Sequence, residues 1–231
     1  MLAAMSVEAD QSPQDVSRVV LRPLANPLSL GFLGLFFATM LLAGDELGWV
    51  PASQSHLLDV GILVFTVPTQ GIACIYGFLC RDLVAATGMG VEFGTWATVG
   101  VGRLLSPPTA TNPALGYILV LGAVAVLMPA VAAANSKVLA ALVLCSTALR
   151  WVLTASYQLS TAPALKTAAG AQGVFLAALA LYASLAFELE DQRRRTVLPT
   201  LRRGSGEVAM TGSLGAQVEK VANEAGVRKQ L

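Results

Sequence analysis

The sequence predicts an all-α polytopic membrane protein with six transmembrane helices and both termini in the cytoplasm. Three observations carry that prediction: the scarcity and placement of charge, six apolar segments of spanning length, and the distribution of Lys and Arg. Hydrophobic residues make up 55% of the 231, and charged residues only 13%, where a soluble domain uses about a quarter. Ten charges lie between Pro27 and Phe187, namely Asp45, Glu46, Asp59, Arg81, Asp82, Glu92, Arg103, Lys137, Arg150 and Lys166; the other nineteen fall in the tails. So few charges cannot cover a soluble body of that length, so the apolar body faces lipid.

A helix crossing a bilayer needs about 20 predominantly apolar residues. Six segments meet this, over approximately 27–44, 57–80, 84–105, 114–134, 137–159 and 166–187. Turn-rich stretches separate them, including SPPTATNP at 106–113 and LSTAPAL at 159–165. The first span is the shortest, and Trp49 beyond it suits an interfacial anchor. Basic residues set the orientation. Arg18 and Arg22 precede the first span, Arg193, Arg194, Arg195, Arg202 and Arg203 follow the sixth, and Arg81 and Lys137 fall in loops on the same side. The first opposite loop carries Asp45, Glu46 and Asp59; Arg103 and Lys166 run against the trend. The chain divides into a cytoplasmic tail at 1–23, a six-helix transport domain at 24–190 and a second cytoplasmic tail at 191–231.

A net charge of +1 excludes a broad nucleic-acid surface. Glu8, Asp10 and Asp15 break any signal-peptide pattern at the front. Cys74, Cys80 and Cys145 lie in apolar segments and read as small buried hydrophobes. His56, the single histidine, falls at a loop. With no histidine cluster, nucleophile motif or phosphate loop, the sequence calls for no enzyme activity, no cofactor and no metal.

In the third span Ala86, Gly90, Gly94, Thr98 and Gly102 recur every four residues, which predicts a close helix–helix seam. Gly170, Gly173 and Ala177 form a weaker patch on the sixth. Pro68 and Pro129 each remove a backbone hydrogen bond, and Thr69 and Gln70 are placed to satisfy the carbonyls freed at Pro68 or to bind a solute. Asn26-Pro27 opens the first span as cap and first helical residue. Arg150 and Glu92 lie deep in their spans, where ionisable groups mark functional sites by default; they pair with each other, or Arg150 attracts a carboxylate. Glu92 or Asp59 is the candidate for carrying a coupled proton. Beyond the membrane part, Leu214, Val218, Val221 and Ala225 follow roughly helical spacing, which fits either an amphipathic segment on a partner or the bilayer surface or a disordered tail.

The stretch NPLSLGF at 26–32 resembles the Asn-Pro-Ala-Pro-Leu-Gly-Leu signature of the acetate uptake transporters, the YaaH-type or succinate-acetate permease family, with Asn26, Pro27, Leu30 and Gly31 matching. Arg195-Thr196-Val197-Leu198-Pro199 is similar to the family's closing segment, AGAQG at 169–173 to its entry to the sixth span, and LDVGILVFTVPTQGIAC to its second span, with Cys74 where Gln is usual. The third span keeps only Phe93-Gly94, which makes this a divergent bacterial member. The resemblance implies a multi-pass protein of the plasma (inner) membrane, a homohexamer with one path per subunit, moving small carboxylates such as acetate or succinate with a proton. It places Leu35 at a pore constriction, with Trp96 or Val101 and Ser146 or Thr147 at the other narrowing positions. Amides at the start of the first span, with the Asn26 side chain, would then meet an anion at the cytoplasmic mouth. Substrate contacts are accordingly expected at Asn26, Pro27, Leu30, Gly31, Leu35, Trp96 and Ser146, and, from the residues of this chain rather than from the resemblance, at Gln70 and Arg150. The alternative is a channel for small uncharged solutes such as urea, amides or ammonia.

Overall fold

The computed structural model describes residues 24–108 and 110–211. The expected tail at 1–23, with Arg18 and Arg22, and the amphipathic segment at 214–225 lie outside the described residues. Six long helices follow one another: α1 Pro27–Glu46, α2 Ala52–Leu79, α3 Leu83–Leu104, α4 Pro113–Ala133, α5 Val138–Ser160 and α6 Pro163–Arg193, followed by a short α7, Ser205–Thr211. Among the described residues there is no strand; the one isolated bridge joins Lys137 and Arg202. Five of the six long helices are long and apolar enough to cross a membrane, α3 being the exception. The helices match the expected segments with shifted ends. α1 extends to Glu46, and α6 runs from Pro163 to Arg193.

Consecutive long helices pack on each other and α6 returns to α1, which closes a ring. Small residues set the antiparallel registers. On the α1–α6 seam, Ser184 Oγ donates to the Ser29 carbonyl at 2.7 Å, Phe32 and Phe187 have ring centroids 6.1 Å apart, and a Cβ on Gly173 would lie 2.9 Å from that of Ala43. The α2–α3 seam brings Gly77 to Ala86, Cys74 to Gly90, and Leu63 to Gly100. The expected seam is thus internal at Ala86 and Gly90, while Gly94 and Thr98 lie on the outer surface of the chain.

A π-helical turn at Ile62–Thr66 precedes Pro68 in α2. Such turns arise where the regular backbone ladder is interrupted. Thr69 Oγ1 lies 2.9 Å from the carbonyls of both Phe65 and Thr66, as the residues beside the proline suggested. Gln70 does not join it; its side chain points inward to α3.

The outward face is apolar, with Val64, Ile75, Val124, Met128, Val131 and Phe175 all exposed. Cys145 also faces outward, and Cys74 and Cys80 are only half-buried. Cysteine in a spanning helix is thus as acceptable facing lipid as facing protein, which is why the expected burial fails. Polar groups gather inside the ring instead.

Beyond α6 the chain folds back. The Glu190 carboxylate accepts from Thr196 Oγ1 at 3.1 Å, Thr200 Oγ1 at 2.9 Å and Arg202 Nε at 2.8 Å, while Tyr182 donates its hydroxyl hydrogen to the Pro199 carbonyl at 3.0 Å. The segment 195–199 is therefore a strap tied to the end of α6.

A side chain at Gly77 meets main chain, since its Cβ would lie 2.5 Å from Ala86 N and 2.7 Å from Ala86 Cα. Backbone cannot yield as a flexible side chain does, so Gly77→Ala is expected to lower stability by about 1–3 kcal/mol. At Gly94 nothing lies within 4 Å, and since alanine is the better helix former, Gly94→Ala should unfold at or above the wild-type temperature. Thermal unfolding of both variants in detergent checks the pair.

Candidate functional site: a polar interior enclosed by the helix ring

Inward-facing residues recur at intervals of three or four along each helix, as an α-helix requires. On α1 the buried line runs Leu28, Phe32, Leu35, Thr39, Leu42 and Glu46; on α2 it includes Asp59, Thr66, Gln70 and Ala73. Helix α3 contributes Met89, Glu92, Trp96 and Val99, and α5 contributes Val143, Thr147, Arg150 and Thr154. These four lines enclose three polar layers.

The first layer lies at the start of α1. Asn26 caps α1 through its side chain, whose oxygen accepts from Leu28 N–H at 3.0 Å. Its own N–H lies 3.4 Å from Asp191 Oδ2, so a carboxylate of the protein itself already stands at this helix start. The same Asn-Pro device opens α4, where Asn112 caps the amides of Ala114 and Leu115. Capping is thus a use that both pairs share. The surroundings of Asn26 differ: it borders a cavity of about 240 Å³ with Glu190, Asp191, Arg194, Arg202 and Met210. Pro27 is buried and Leu30 half-buried. Gly31 is required by packing, as a Cβ there would lie 2.1 Å from Met89 Sδ. Lys137 pairs with Asp82 near this end, which places the Lys137 loop beside the α2–α3 turn, as the charge pattern expects.

The middle layer centres on Glu92, which is fully buried. Its Oε2 accepts from Gln70 Nε2 and from Trp96 Nε1, both at 3.1 Å, and Thr147 flanks it. Trp96 in turn stands edge-on to Trp151, with centroids 6.3 Å apart. Of the alternatives left open by the sequence, Trp96 faces the interior and Val101 the exterior, while Ser146 and Thr147 are both buried. Ser146 accepts from Gln172 Nε2 at 2.9 Å. Leu35 is fully buried on the inner line of α1.

Two arginines and the three acids they meet make the outer layer. Arg150 does not meet Glu92; its Nη2 lies 2.5 Å from Glu46 Oε2. The expected Arg150–Glu92 contact fails because Glu92 turns to the donors of α2 and its own helix, while the long arginine reaches the end of α1. Arg103 bridges Asp59 at 2.6 Å and Asp45 at 2.8 Å. Asp45, Glu46 and Asp59, read from the sequence as loop acids, are buried helical residues. Burial explains both the misreading and the apparent exception of Arg103, whose charge is met by two carboxylates. His56 likewise belongs to α2, half-buried, with Nε2 3.1 Å from the Ser106 carbonyl. Several buried polar atoms find no protein partner, among them Thr39 Oγ1, Gln70 Oε1, Glu92 Oε1, Arg150 Nε and Trp151 Nε1. Buried polar groups are normally satisfied, so an interior with these five is suited to a polar visitor. Thr39, Glu46, Trp151 and Thr154 were not singled out from sequence. For Thr39, Glu46 and Thr154 the signal was the interval of three or four that puts them in line with Leu35 and Arg150; Trp151 falls one residue off that line and had no such signal. No cluster of three or more potential metal ligands occurs among the described residues.

No protein-family model matches the sequence, and no curated protein does. Among solved structures the fold is similar to that of the bacterial acetate channel SatP, with a TM-score of 0.67 and 23% identity, over 77% of this chain and 99% of that one.

Removing one partner of a buried pair strands the other charge. Arg103→Met leaves Asp45 and Asp59 facing each other without a cation, and should cost about 3 kcal/mol of stability. Substituting both acids together (Asp45→Asn with Asp59→Asn) in the Arg103→Met background should recover part of it. Unfolding midpoints of the single and triple variants check this.

Proposed function

We propose that the chain is a channel or transporter for small carboxylates, acetate foremost and succinate next, in the plasma membrane. All six long helices cross the bilayer in this reading. Helix α3 spans despite its charges because Glu92 and Arg103 face the ring interior, and both termini stand on the side bearing Arg81, Lys137 and the arginines after α6. The observation that carries the reading is the fully buried Glu92 cluster inside a ring whose fold is that of an acetate channel. The mouth at Asn26, Arg194 and Arg202 collects the anion, Leu35 narrows the route, and Gln70, Trp96 and Ser146 line the polar stretch beyond. By the family resemblance the assembly is a homohexamer, with a path in each subunit.

Glu92 carries the coupled proton. Its donors Gln70 and Trp96 are neutral, and neither Arg150, which meets Glu46, nor Arg103, which meets Asp59 and Asp45, pairs with it. An ionised Glu92 repels a passing carboxylate; a protonated one offers it a hydrogen bond. The anion and the proton then travel together. Asp59, held by Arg103 at 2.6 Å, is the less suited of the two carriers.

Purified protein in liposomes should take up labelled acetate faster than urea, and faster with an inward proton gradient. Glu92→Gln, which keeps shape and hydrogen bonding, should retain acetate flux and lose its response to the gradient. Asn26→Ala at matched abundance should lower uptake; unchanged uptake would reduce Asn26 to a cap whose removal costs about 1 kcal/mol. Urea flux matching or exceeding acetate flux would favour the neutral-solute reading, and flux no faster than in empty vesicles would remove both.

A further inference from the structure

We propose that Arg150 is the cation to which a substrate carboxylate binds in the outer half of the path, and that Glu46 is its built-in competitor. Glu46 then holds the place that the substrate takes during passage. The proposal rests on the carboxylate reading above.

Fastening α5 to α1 does not by itself account for the pair. A buried ion pair rarely stabilises more than apolar side chains of the same volume, and in a bilayer-spanning helix a charge is costly wherever it lies. This guanidinium is also incompletely satisfied. Its Nη1 donates to Thr154 Oγ1 at 3.1 Å and Nη2 meets Glu46 at 2.5 Å, but Nε finds no acceptor among the protein atoms. Arginine offers five N–H donors in a planar fork that suits a carboxylate. A fork with an unused edge is a weak clasp and a good exchange site.

At Gly173 no side chain of α6 covers the unused edge. Gly173 of α6 lies directly behind the guanidinium, where a Cβ would stand 3.0 Å from Arg150 Nε and 3.1 Å from Cζ. Any other residue would press on the edge that lacks an acceptor. Glu46 is the last residue of α1, and Gly48, with φ of 72°, turns the chain just beyond it. A carboxylate at a helix end can swing away without breaking a helix. Thr154 Oγ1 accepts from Arg150 and lies 3.5 Å from Glu46 Oε1, so it can hold the guanidinium in place while the anion changes. Beyond its two methylenes, the Glu46 side chain ends in the same group as acetate. Glu46 and substrate therefore present the same chemistry to Arg150.

If Glu46 occupies Arg150 for nine-tenths of the time, the apparent affinity for acetate is about tenfold weaker than that of the free guanidinium. Acetate uptake into liposomes tests this through half-saturation and maximal rate measured separately. Glu46→Gln should lower the half-saturating acetate concentration by about tenfold, with maximal flux equal or reduced by slower release. Arg150→Gln should abolish saturable uptake. The double variant Glu46→Gln/Arg150→Gln leaves no stranded charge; it should reach the membrane, unfold near the wild-type temperature and still lack saturable acetate uptake. A double variant with wild-type half-saturation, or a folded Glu46→Gln with unchanged or raised half-saturation, would overturn the proposal and leave a structural pair. Should Glu46→Gln fail to fold, the double variant decides alone. Absence of acetate flux in the wild type removes the carboxylate reading itself, a result distinct from wild-type flux with an indifferent double variant.

Discussion

Charge cannot be left unattended in a medium of low dielectric, and the arrangement of this ring follows from that constraint. The ionised groups inside it are drawn into partnerships that also fix helices to one another. Arg103 of α3 joins the end of α1 to the start of α2 through Asp45 and Asp59. Arg150 of α5 reaches the end of α1 through Glu46, and Arg202 binds the strap to α6 through Glu190. In each pair the acid stands toward a helix end: Asp45 and Glu46 close α1, Asp59 is near the start of α2 and Glu190 near the end of α6. Glu92, near the middle, is the exception in kind: its hydrogen-bond donors are neutral.

Close packing makes the partnerships possible. An arginine reaches across the ring only if the helices flanking it stand near, and glycine supplies that nearness. Gly34 lets Thr69 and Gln70 come against α1, and Gly122 admits the indole of Trp151 beside Thr95. Gln70, held there, has its amide within reach of Glu92; Trp151, held there, props Trp96 edge-on. The inner lines on α1, α2, α3 and α5 therefore mix large apolar side chains with polar ones, while the outer faces carry apolar side chains such as Val64, Met128 and Val131. This is the reverse of a soluble bundle, and the solvent around it dictates the reversal.

The helices and their order were legible in the sequence because span length and charge depletion are local properties. Site geometry was legible only where it too is local. The cap at Asn26 and the hydroxyl that serves the carbonyls before Pro68 can be read from neighbouring residues. Arg150 and Glu92 were recognisable as buried, since both stand in mid-span. Their partners were not, because a partner is a statement about two helices at once. Glu46 was misread for a related reason: an acid at the end of a short apolar run looks like the first residue of a loop. Only the structure places it under Gly170, whose absent side chain leaves room beside Glu46 Cβ and Leu47. The strap at 195–199 was seen as a matching string, but its function as a tie depends on Glu190 and Tyr182, a helix turn or more away.

The three polar layers bear unequally on the choice between a charged and an uncharged solute. A route for urea needs hydrogen-bond donors and acceptors, which Thr39, Gln70 and Trp151 already offer with atoms that bind nothing else in the protein. It has no need of a guanidinium sunk in the ring, and every such charge adds a desolvation cost that its pair only partly offsets. For a carboxylate the calculation differs. The anion loses its own hydration on entry, and only cations, strong donors or a shared proton can replace it. Arginines at the mouth, a carboxyl among neutral donors in the middle and an arginine with an unused edge farther on are the three kinds of replacement. Their presence in one narrow interior is costly for a neutral solute and useful for an acid.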